Sequence, residues 1–434
     1  MRIDFPHYEN VSGFNVPDAN LIGVYQAPRV EPKASPTELI RRAFESPIGS
    51  DRVCDLARGS KSALILTDDY TRKTPVREVL SFLIPELEEA GLSRDAIRIL
   101  IALGTHRPMT DREMEDKFGP EVCRDFPIAN HEWRNEDELS DYGVTTDGTP
   151  IRVNRAVDEA DFVFGIGQIV PHRIAGFSGG GKIIQPGICG AETTAETHWR
   201  SALYPGSEIL GVAENPIRLG IEQVAARVGL SAIANAVCDA DGRLIDVFVG
   251  DPVAAHRAGA RLSSAVYGFE FPETADILVI DSYPMDIELW QGAKALYAGE
   301  LAVKNDGVAI LVSPCPEGIS QAHPLILQEG YRPSQETISL VESGRIADKI
   351  VAAHLVRVGR VIRDDGSAGI LVSPGIPPEQ KERLGFLHAS SPQEALDLAF
   401  GIKGNSASVM VIRQGGTSLP VPGTGTASPE CAGE

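Results

Sequence analysis

The sequence has no run of about 18 apolar residues, the length that a helix needs to cross a bilayer. Its first ten residues, MRIDFPHYEN, show neither the basic start nor the apolar core of an export signal. Six cysteines are scattered without any C-x-x-C pair, which argues against a thiolate zinc site and against a disulfide framework. We therefore expect a cytoplasmic protein with reduced cysteines and no membrane partner.

Positive charge is also scarce. The 434 residues include 40 Lys and Arg against 60 Asp and Glu, which gives a formal net charge of -20. A surface with this balance repels nucleic-acid phosphates and anionic lipid headgroups, so we expect no nucleic-acid partner. An anionic small molecule needs a local cationic pocket on such a protein.

Short apolar runs rich in β-branched residues recur along the chain, each followed by a polar or Gly/Pro-rich break. This pattern is typical of buried parallel strands. It predicts strands at 63–67, 97–103, 161–165, 277–281, 308–312, 369–372 and 408–412. Helical patterns between them include 76–90, 216–228 and 392–400. The alternation predicts an α/β fold whose largely parallel sheets are flanked by helices.

The length exceeds that of one ordinary hydrophobic core, so we expect two domains. A new strand pattern follows the segment GFEFPET near 268–274. We predict an N-terminal α/β domain at 1–270, a C-terminal α/β domain at 271–414 and the active site in the cleft between them. The Gly/Pro/Ser/Thr-rich segment 415–434 is predicted to be a flexible tail.

Polar side chains follow the first three predicted strands. Asp69 and Arg72 come after the first strand, His106 after the second and His172 after the third. In open α/β sheets, the carboxyl ends of the strands form the ligand crevice. We therefore expect these four side chains to lie along one rim.

A glycine-rich segment follows His172. It consists of Ser178, Gly179, Gly180, Gly181 and Lys182. Glycine backbone N–H groups can converge on an anion, and the lysine adds a point charge. The segment is not a P-loop, because an isoleucine follows Lys182 where a hydroxyl residue holds magnesium. A bound mononucleotide phosphate stays open as a hypothesis.

Each of these features has a plainer interpretation. A glycine triplet alone is more often a tight turn, and paired aspartates at a strand end often form a helix cap. Trp290 is by composition more often a core residue. Isolated histidines are mostly surface or structural residues, and we assign that role to His7, His131, His256, His323, His354 and His388.

Four segments together carry a family resemblance. They are TDDYTRKTP at 67–75, GTHRPMT at 104–110, PHRIAGFSGGGKIIQPGICG at 171–190 and WQGAK at 290–294. On these segments the sequence resembles the nickel-dependent lactate racemases, which use a nickel-pincer nucleotide. The long central motif is the specific one.

The resemblance implies a role for each site residue. Lys182 would carry the cofactor covalently, and His198 would be the protein ligand of nickel. His106 and His172 would be the acid/base pair. The remaining candidates fall into two groups: Arg72, Gln291, Lys294 and Trp290 at the substrate, and Asp69, Ser178, Gly179, Gly180 and Gly181 at the cofactor. Cofactor-biosynthesis proteins would be transient partners.

The implied activity is racemisation or epimerisation of a 2-hydroxy acid by reversible hydride transfer. Two histidines suit this reaction because the two enantiomers present their hydroxyls differently, and imidazole titrates near neutral pH. A lactate-like acid, another short or aromatic hydroxy acid and a sugar acid all stay open as substrates.

Three other classes of function are weighed against this one. A nicotinamide-dependent 2-hydroxy-acid dehydrogenase lacks support, because no G-x-G-x-x-G directly follows the first strand. A zinc hydrolase built on His106, His172 and His198 lacks an H-E-x-x-H motif. A non-catalytic hydroxy-acid or nucleotide sensor would need neither a covalent lysine adduct nor paired histidines.

Overall fold

The structure, a computed structural model, describes residues 1–423, and the chain divides into two compact units. The N-terminal unit contains residues 29–201 and 211–266. The C-terminal unit combines residues 1–28, 202–210 and 267–423. Each unit contains a largely parallel sheet flanked by helices, which confirms the predicted α/β class.

The N-terminal unit is built on a six-stranded sheet. From edge to edge, its strands are Leu244–Gly250, Leu230–Cys238, Phe162–Gln168, Ala63–Thr67, Ile97–Ile101 and Ile128–Asn130. Neighbouring strands are parallel except for the first pair, which is antiparallel. There are also two short antiparallel pairs. Leu139–Val144 pairs with Pro150–Asn154, and Pro171–His172 pairs with Gly176–Phe177.

Helices cover this sheet. They are Pro36–Glu45, Val53–Leu56, Val76–Glu89, Asp111–Phe118, Pro120–Asp125, Ala191–Ala202, Pro216–Val228 and Ala254–Tyr267. Short 3-10 turns occupy Arg94–Ala96, Glu136–Glu138, Arg155–Glu159 and Gly180–Ile183. All five residues of Ala63–Thr67 are buried, as expected for a central strand covered on both faces.

The C-terminal unit contains a second six-stranded sheet, and it is parallel throughout. Its strands, in spatial order, are Leu387–Ala389, Ala368–Val372, Val303–Val312, Ala275–Asp281, Val409–Ile412 and Leu21–Tyr25. The last of these comes from the start of the chain, so this sheet is completed by a segment distant in sequence.

The helices of the C-terminal unit are Gly206–Ile209, Leu289–Gly292, Ala295–Gly299, Leu325–Glu329, Ser334–Glu342, Lys349–Ile362, Pro378–Arg383 and Pro392–Lys403, with a 3-10 turn at Asp364–Gly366. Arg2–Ile3 pairs with Phe14–Asn15 in an antiparallel pair. Within the predicted tail, Leu419–Pro422 forms a parallel pair with Gly268–Phe271. The rest of that prediction, residues 424–434, lies outside the described residues.

Two further observations concern the described part of the chain. Cys54, Cys123, Cys189, Cys238 and Cys315 are free thiols, and all but Cys123 are buried. Among residues 1–423, no helix combines the length and apolar character that a bilayer crossing demands.

Candidate active site

The carboxyl ends of three adjacent strands bring the predicted loops of the N-terminal unit together. Ala63–Thr67 lies between Ile97–Ile101 on one side and Phe162–Gln168 on the other, so the strand order reverses there. Such a reversal is the usual place for a ligand crevice. The Ala102 N–H donates to the Thr67 carbonyl at 2.7 Å and holds the first two loops side by side.

Asp69 and His106 form a carboxylate–imidazole pair across these two loops. His106 Nδ1 lies 2.7 Å from Asp69 Oδ2. An ionised carboxylate only accepts, so Nδ1 carries the hydrogen and Nε2 carries the lone pair of the neutral ring. The Asp69 side chain is 4% exposed and that of His106 is 47% exposed, so the ring has solvent access while its partner does not.

The carboxylate of Asp69 is held in its ionised form. Burial alone would raise its pKa, but hydrogen bonds from His106 and Thr71, together with the charge of Arg72, lower the pKa below its ordinary value. The Thr71 hydroxyl donates to Asp69 Oδ1 at 2.5 Å. Asp69 was expected at the cofactor, and in the structure its carboxylate is bound to His106 and Thr71.

Gln168, which sequence reasoning missed, joins the Asp69 loop to the glycine segment. Its side-chain oxygen accepts from the Lys73 N–H at 3.2 Å, and its carbonyl accepts from the Ser178 hydroxyl at 2.6 Å. The Val170 N–H also donates to the Ser178 hydroxyl at 2.9 Å. The Ser178 side chain is thereby engaged by main-chain groups of its own unit.

The glycine segment packs closely against the protein behind it. The Gly180 N–H donates to Asn235 Oδ1 at 2.6 Å, so this N–H is used within the protein. A Cβ on Gly179 would lie 2.6 Å from the same Asn235 oxygen, and the φ of Gly179 is +76°. Glycine is therefore required here by close packing and by a left-handed backbone.

Two more buried side chains hold this segment. Arg218, 0% exposed, donates to the carbonyls of Ala175, Phe177 and Gly179, and burial lowers its pKa to about 10. His256 Nε2 lies 3.0 Å from the Ser178 carbonyl, in agreement with the structural role expected for it. Arg218 and Asn235 come from distant parts of the chain, and no local pattern marks them.

Lys182 lies in the 3-10 turn Gly180–Ile183, with its N–H donating to the Gly179 carbonyl at 3.2 Å. Its carbonyl accepts from the Gly187 N–H at 3.2 Å, and the Gly187 carbonyl accepts from Gly104 at 2.8 Å. Gly104 is two residues from His106. The backbone that carries Lys182 is therefore two hydrogen bonds away from the loop that carries His106.

His172 and His198 differ in the ring nitrogen that the protein engages. His172 Nδ1 accepts from the Ile174 N–H at 3.2 Å, so the hydrogen of its neutral ring lies on Nε2. His198, on the helix Ala191–Ala202, has Nδ1 at 2.7 Å from the Thr194 carbonyl. Its Nδ1 must donate there, so Nε2 carries the lone pair, as in most histidine ligands of metals.

The structure does not gather the three histidines into one metal-binding group. Within residues 1–423, one group of three His, Cys, Asp or Glu side chains has its ligand atoms within 4.8 Å of one another: Cys54, Glu86 and Glu89. Arg52 forms ion pairs with both of these glutamates. The zinc-hydrolase hypothesis thus finds no preassembled three-histidine site in the described chain.

The remaining predicted residues lie in the C-terminal unit. Trp290 and Gln291 are in the helix Leu289–Gly292, and Lys294 follows it. Lys294 Nζ donates to Gln291 Oε1 at 2.6 Å. Both side chains are half-buried, so a cationic and an amide group stand together as a short polar patch.

Trp290 packs against two histidines that sequence reasoning treated as structural. Its ring centroid is 3.9 Å from that of His323 and 4.4 Å from that of His354. His354 is buried, with Tyr297 and Tyr331 hydroxyls at 2.6 and 2.9 Å from its two ring nitrogens. Burial lowers the pKa of His354 well below its ordinary value, so this ring is neutral and fixed.

The fold and the site define a class: a two-unit α/β protein with a carboxylate-bound imidazole on a loop hydrogen-bonded to a glycine-rich, lysine-bearing segment. Comparison with models of protein families then identifies the family of the chain. The model of the lactate racemase N-terminal domain matches residues 8–209, and that of the C-terminal domain matches residues 272–419. The chain belongs to the lactate racemase family and is an isomerase of the racemase and epimerase class.

Individual relatives agree with this assignment. A lactate racemase of Thermoanaerobacterium thermosaccharolyticum is 30% identical, over 95% of this chain and 98% of that protein. One of Lactiplantibacillus plantarum is 28% identical, over 96% and 98% of the two chains. The solved apoprotein of the Thermoanaerobacterium enzyme superposes with a TM-score of 0.85 at 29% identity, covering 97% of this chain and 100% of that one. A Thermotoga maritima protein at 23% identity, with a TM-score of 0.70 over 91% of this chain and 100% of its own, shares the fold.

Proposed function

We propose that this protein racemises or epimerises a 2-hydroxy acid, with His106 and His172 as the acid/base pair and a nickel-pincer nucleotide as the hydride carrier. The observation that carries the proposal is the Asp69–His106 pair, because it leaves a basic Nε2 on the loop bonded to the Lys182 segment. Family membership supplies the reaction class. The relatives named above act on lactate by name, and a lactate-like acid is the first substrate to test.

The residues present fit the proposed cofactor. The Thr194 carbonyl fixes the His198 hydrogen on Nδ1, so the ring lone pair lies on Nε2, the atom that would bind nickel. A nickel that takes one imidazole from the protein and its softer donors from the cofactor needs no further protein ligand. Lys182 offers a primary amine for covalent attachment. When bound, the nucleotide supplies a centre that accepts hydride from the substrate carbon and returns it.

His106 can take the substrate hydroxyl proton on Nε2. Protonation makes the ring an imidazolium, and the charge of Asp69 at 2.7 Å stabilises that form. The same carboxylate keeps the tautomer correct between turnovers, as the third member of a catalytic triad does. His106 would thus act as base toward one enantiomer and as acid toward the other.

His172 would perform the mirror step, and its starting tautomer differs. With Nδ1 accepting from Ile174, the neutral ring presents an Nε2–H to the substrate oxygen. To accept a proton on Nε2, the ring must move its hydrogen to Nδ1 and give up this 3.2 Å contact. A single neutral hydrogen bond is worth only about 0.5–1.5 kcal/mol, so losing the bond from Ile174 adds little to the free-energy barrier of the reaction.

Cationic side chains would orient the substrate. We assign the carboxylate to Arg72 and Lys294 and the hydroxyl to Gln291, because charge-assisted hydrogen bonds to a carboxylate are strong and directional. Trp290 would contact the side group of the acid. We keep a short aliphatic, an aromatic and a sugar-derived side group as candidates, to be separated by assay.

The decisive experiment uses protein coexpressed with the cofactor-biosynthesis proteins. Intact-mass spectrometry should show an adduct that maps to Lys182, and metal analysis should show about one nickel per chain. H198A should lose nickel. H106A and H172A should each retain the adduct and the metal but lose racemisation of L- and D-lactate or of the best acid in an optical-rotation screen.

The alternatives give different results. Reversible NAD binding to a chain of unmodified mass would support the dehydrogenase. Tight hydroxy-acid binding without turnover by the loaded protein would support the sensor. Near-normal turnover in both directions by H106A or H172A would overturn the assignment of the acid/base pair.

A further inference from the structure

Lys117 connects a helix to the loop that carries Asp69 and Arg72. Its ammonium group donates to the Asp69 carbonyl at 2.9 Å and to the Arg72 carbonyl at 3.2 Å. It also forms an ion pair with Asp68 Oδ1 at 2.9 Å. Two ammonium hydrogens are thus used by backbone carbonyls, and the contact with Asp68 is an ion pair. The side chain is 9% exposed, which shields the contacts from water.

The other carboxylate oxygen of Asp68 accepts from the Thr74 hydroxyl. Lys117 and Thr74 together fix Asp68, and Lys117 also binds the carbonyls of Asp69 and Arg72, the first of which accepts from the Arg72 N–H as well. The loop is thus held at its beginning, middle and end by one buried ion pair and the hydrogen bonds around it. These contacts add to the hydrogen bonds that the Asp68 and Lys73 N–H groups make to Ile166 and Gln168, and together they restrain the loop backbone.

The same helix, Asp111–Phe118, is attached at its other end to the loop of His106. Arg107 Nη2 lies 2.6 Å from Glu113 Oε1, and a capping box between Thr110 and Glu113 fixes the first turn. Phe118, 0% exposed, anchors the last turn in the core. One rigid helix therefore spans the two loops whose side chains must meet in the Asp69–His106 pair.

We infer that Lys117 is a positioning residue of the active site: from the helix Asp111–Phe118 it holds the 68–75 loop so that Asp69 orients His106 and Arg72 faces the substrate carboxylate. The expected kinetic effect of Lys117 rests on the proposed function. The expected effect on the 68–75 loop rests only on contacts within the N-terminal unit. Lys117 would touch no substrate and would act through Asp69 and Arg72.

A set of four proteins tests it: the wild type, K117M, D68N and the double variant K117M/D68N. K117M removes the ammonium but leaves the Asp68 carboxylate buried without its cation, which is destabilising in itself. D68N keeps the two carbonyl contacts of Lys117 but leaves its ammonium buried without the carboxylate, so it tests the ion pair by itself. The double variant removes the clamp without leaving a buried charge.

Two readouts are needed. Hydrogen–deuterium exchange of peptides covering 68–75 reports the loop directly, and racemisation of L-lactate by the loaded enzyme reports kcat and KM. We expect K117M and K117M/D68N to exchange at least about tenfold faster in this segment. We expect both to lose about 10- to 100-fold in kcat/KM, with kcat falling through His106 and KM rising through Arg72. D68N should lose less kcat/KM than K117M, because it keeps both carbonyl contacts of Lys117.

Several outcomes would overturn the inference. Wild-type exchange in K117M would mean that Lys117 does not hold the loop. Wild-type kcat/KM in the double variant would mean that Lys117 only neutralises Asp68. If K117M does not fold, the double variant carries the test. If the wild type itself fails to racemise any acid, the proposed function fails, and the exchange data still decide whether the clamp exists.

Discussion

His106 Nδ1 and Asp69 Oδ2 lie 2.7 Å apart, with the carboxylate buried and the imidazole half-exposed. The buried, ionised carboxylate of Asp69 thus orients the solvent-accessible ring of His106. It is the arrangement in which a carboxylate selects the histidine tautomer and stabilises the imidazolium that forms during proton transfer.

Replacing Asp69 with Asn tests this relationship. The amide is nearly isosteric, but its NH₂ can donate to Nδ1 and so favour the tautomer with hydrogen on Nε2. We expect kcat for racemisation to fall by roughly 10²- to 10⁴-fold, while nickel and the Lys182 adduct are retained. D55N, at an exposed ion pair with Arg58, is the matched control and should behave as the wild type. An active D69N enzyme would show that the base needs no carboxylate.

Lys294 provides a test of substrate binding in the C-terminal unit. K294M removes the charge that would hold the substrate carboxylate and leaves Gln291 without its 2.6 Å donor. A lost charge-assisted hydrogen bond is worth about 1.5–3 kcal/mol, so KM for L-lactate should rise roughly 10- to 100-fold. K304M, which breaks a partly exposed pair with Asp276 in the same unit, serves as the control. Steady-state kinetics measure KM for both variants. An unchanged KM in K294M would show that Lys294 does not bind the substrate carboxylate.

Much of the fold follows from local pattern. The strand Ala63–Thr67 and the helix Pro216–Val228 have the predicted bounds, because an uninterrupted apolar run and an Asn–Pro start are strong local signals. The strand Leu230–Cys238 was missed, since its sequence LSAIANAVC is rich in small residues with little strand preference. Leu21–Tyr25 was missed because its pairing partner, Val409–Ile412, is far away in sequence.

The site shows the same division. That His106 lies in a loop at the carboxyl end of a buried strand could be predicted. The partners that orient it and its neighbours could not, since Asn235 and Arg218 reach the glycine segment across about 40 to 55 residues of chain. Glycine at 179 and 180 was read as a ligand cradle, whereas the Gly180 N–H is used by Asn235. The sequence shows where the glycines lie, but only the tertiary structure shows which groups their backbone contacts.

Arg218 tests how much the glycine segment depends on its buried support. R218M would remove the guanidinium donor of the carbonyls of Ala175, Phe177 and Gly179, of which those of Ala175 and Gly179 also accept from the Phe177 and Lys182 N–H groups. A buried carbonyl left unpaired costs about 1–3 kcal/mol, and relief from burying the guanidinium offsets part of the loss, so we expect a net loss of about 1–3 kcal/mol in the free energy of unfolding. R227M, an exposed arginine on the same helix, should cost less than about 1 kcal/mol. Denaturant unfolding measures both, and equal effects would mean that Arg218 has no special role.

The C-terminal unit offers a pH test that is independent of catalysis. Asp281, 4% exposed at the carboxyl end of the strand Ala275–Asp281, accepts from the Tyr283 and Gln414 N–H groups. Burial nevertheless raises its pKa to about 7, whereas an unfolded chain has an aspartate pKa of about 3.9. Because the folded value is the higher one, the stabilising contribution is full below pH 4 and is lost as pH rises toward 7.

D281N removes this titration while its amide oxygen can still accept from Tyr283 and Gln414. We expect the free energy of unfolding of the wild type, relative to D281N, to fall by roughly 2–4 kcal/mol between pH 4 and pH 8, because the buried carboxylate must ionise over that range. Asp276, on the same strand, is the control: its ion pair with Lys304 and its hydrogen bonds from Ser408 outweigh burial and lower its pKa to about 2. It is ionised in both states above about pH 5, so the difference between the wild type and D276N should change little between pH 5 and pH 8. Parallel pH profiles for the wild type and D281N in urea unfolding would show that Asp281 does not titrate in this range.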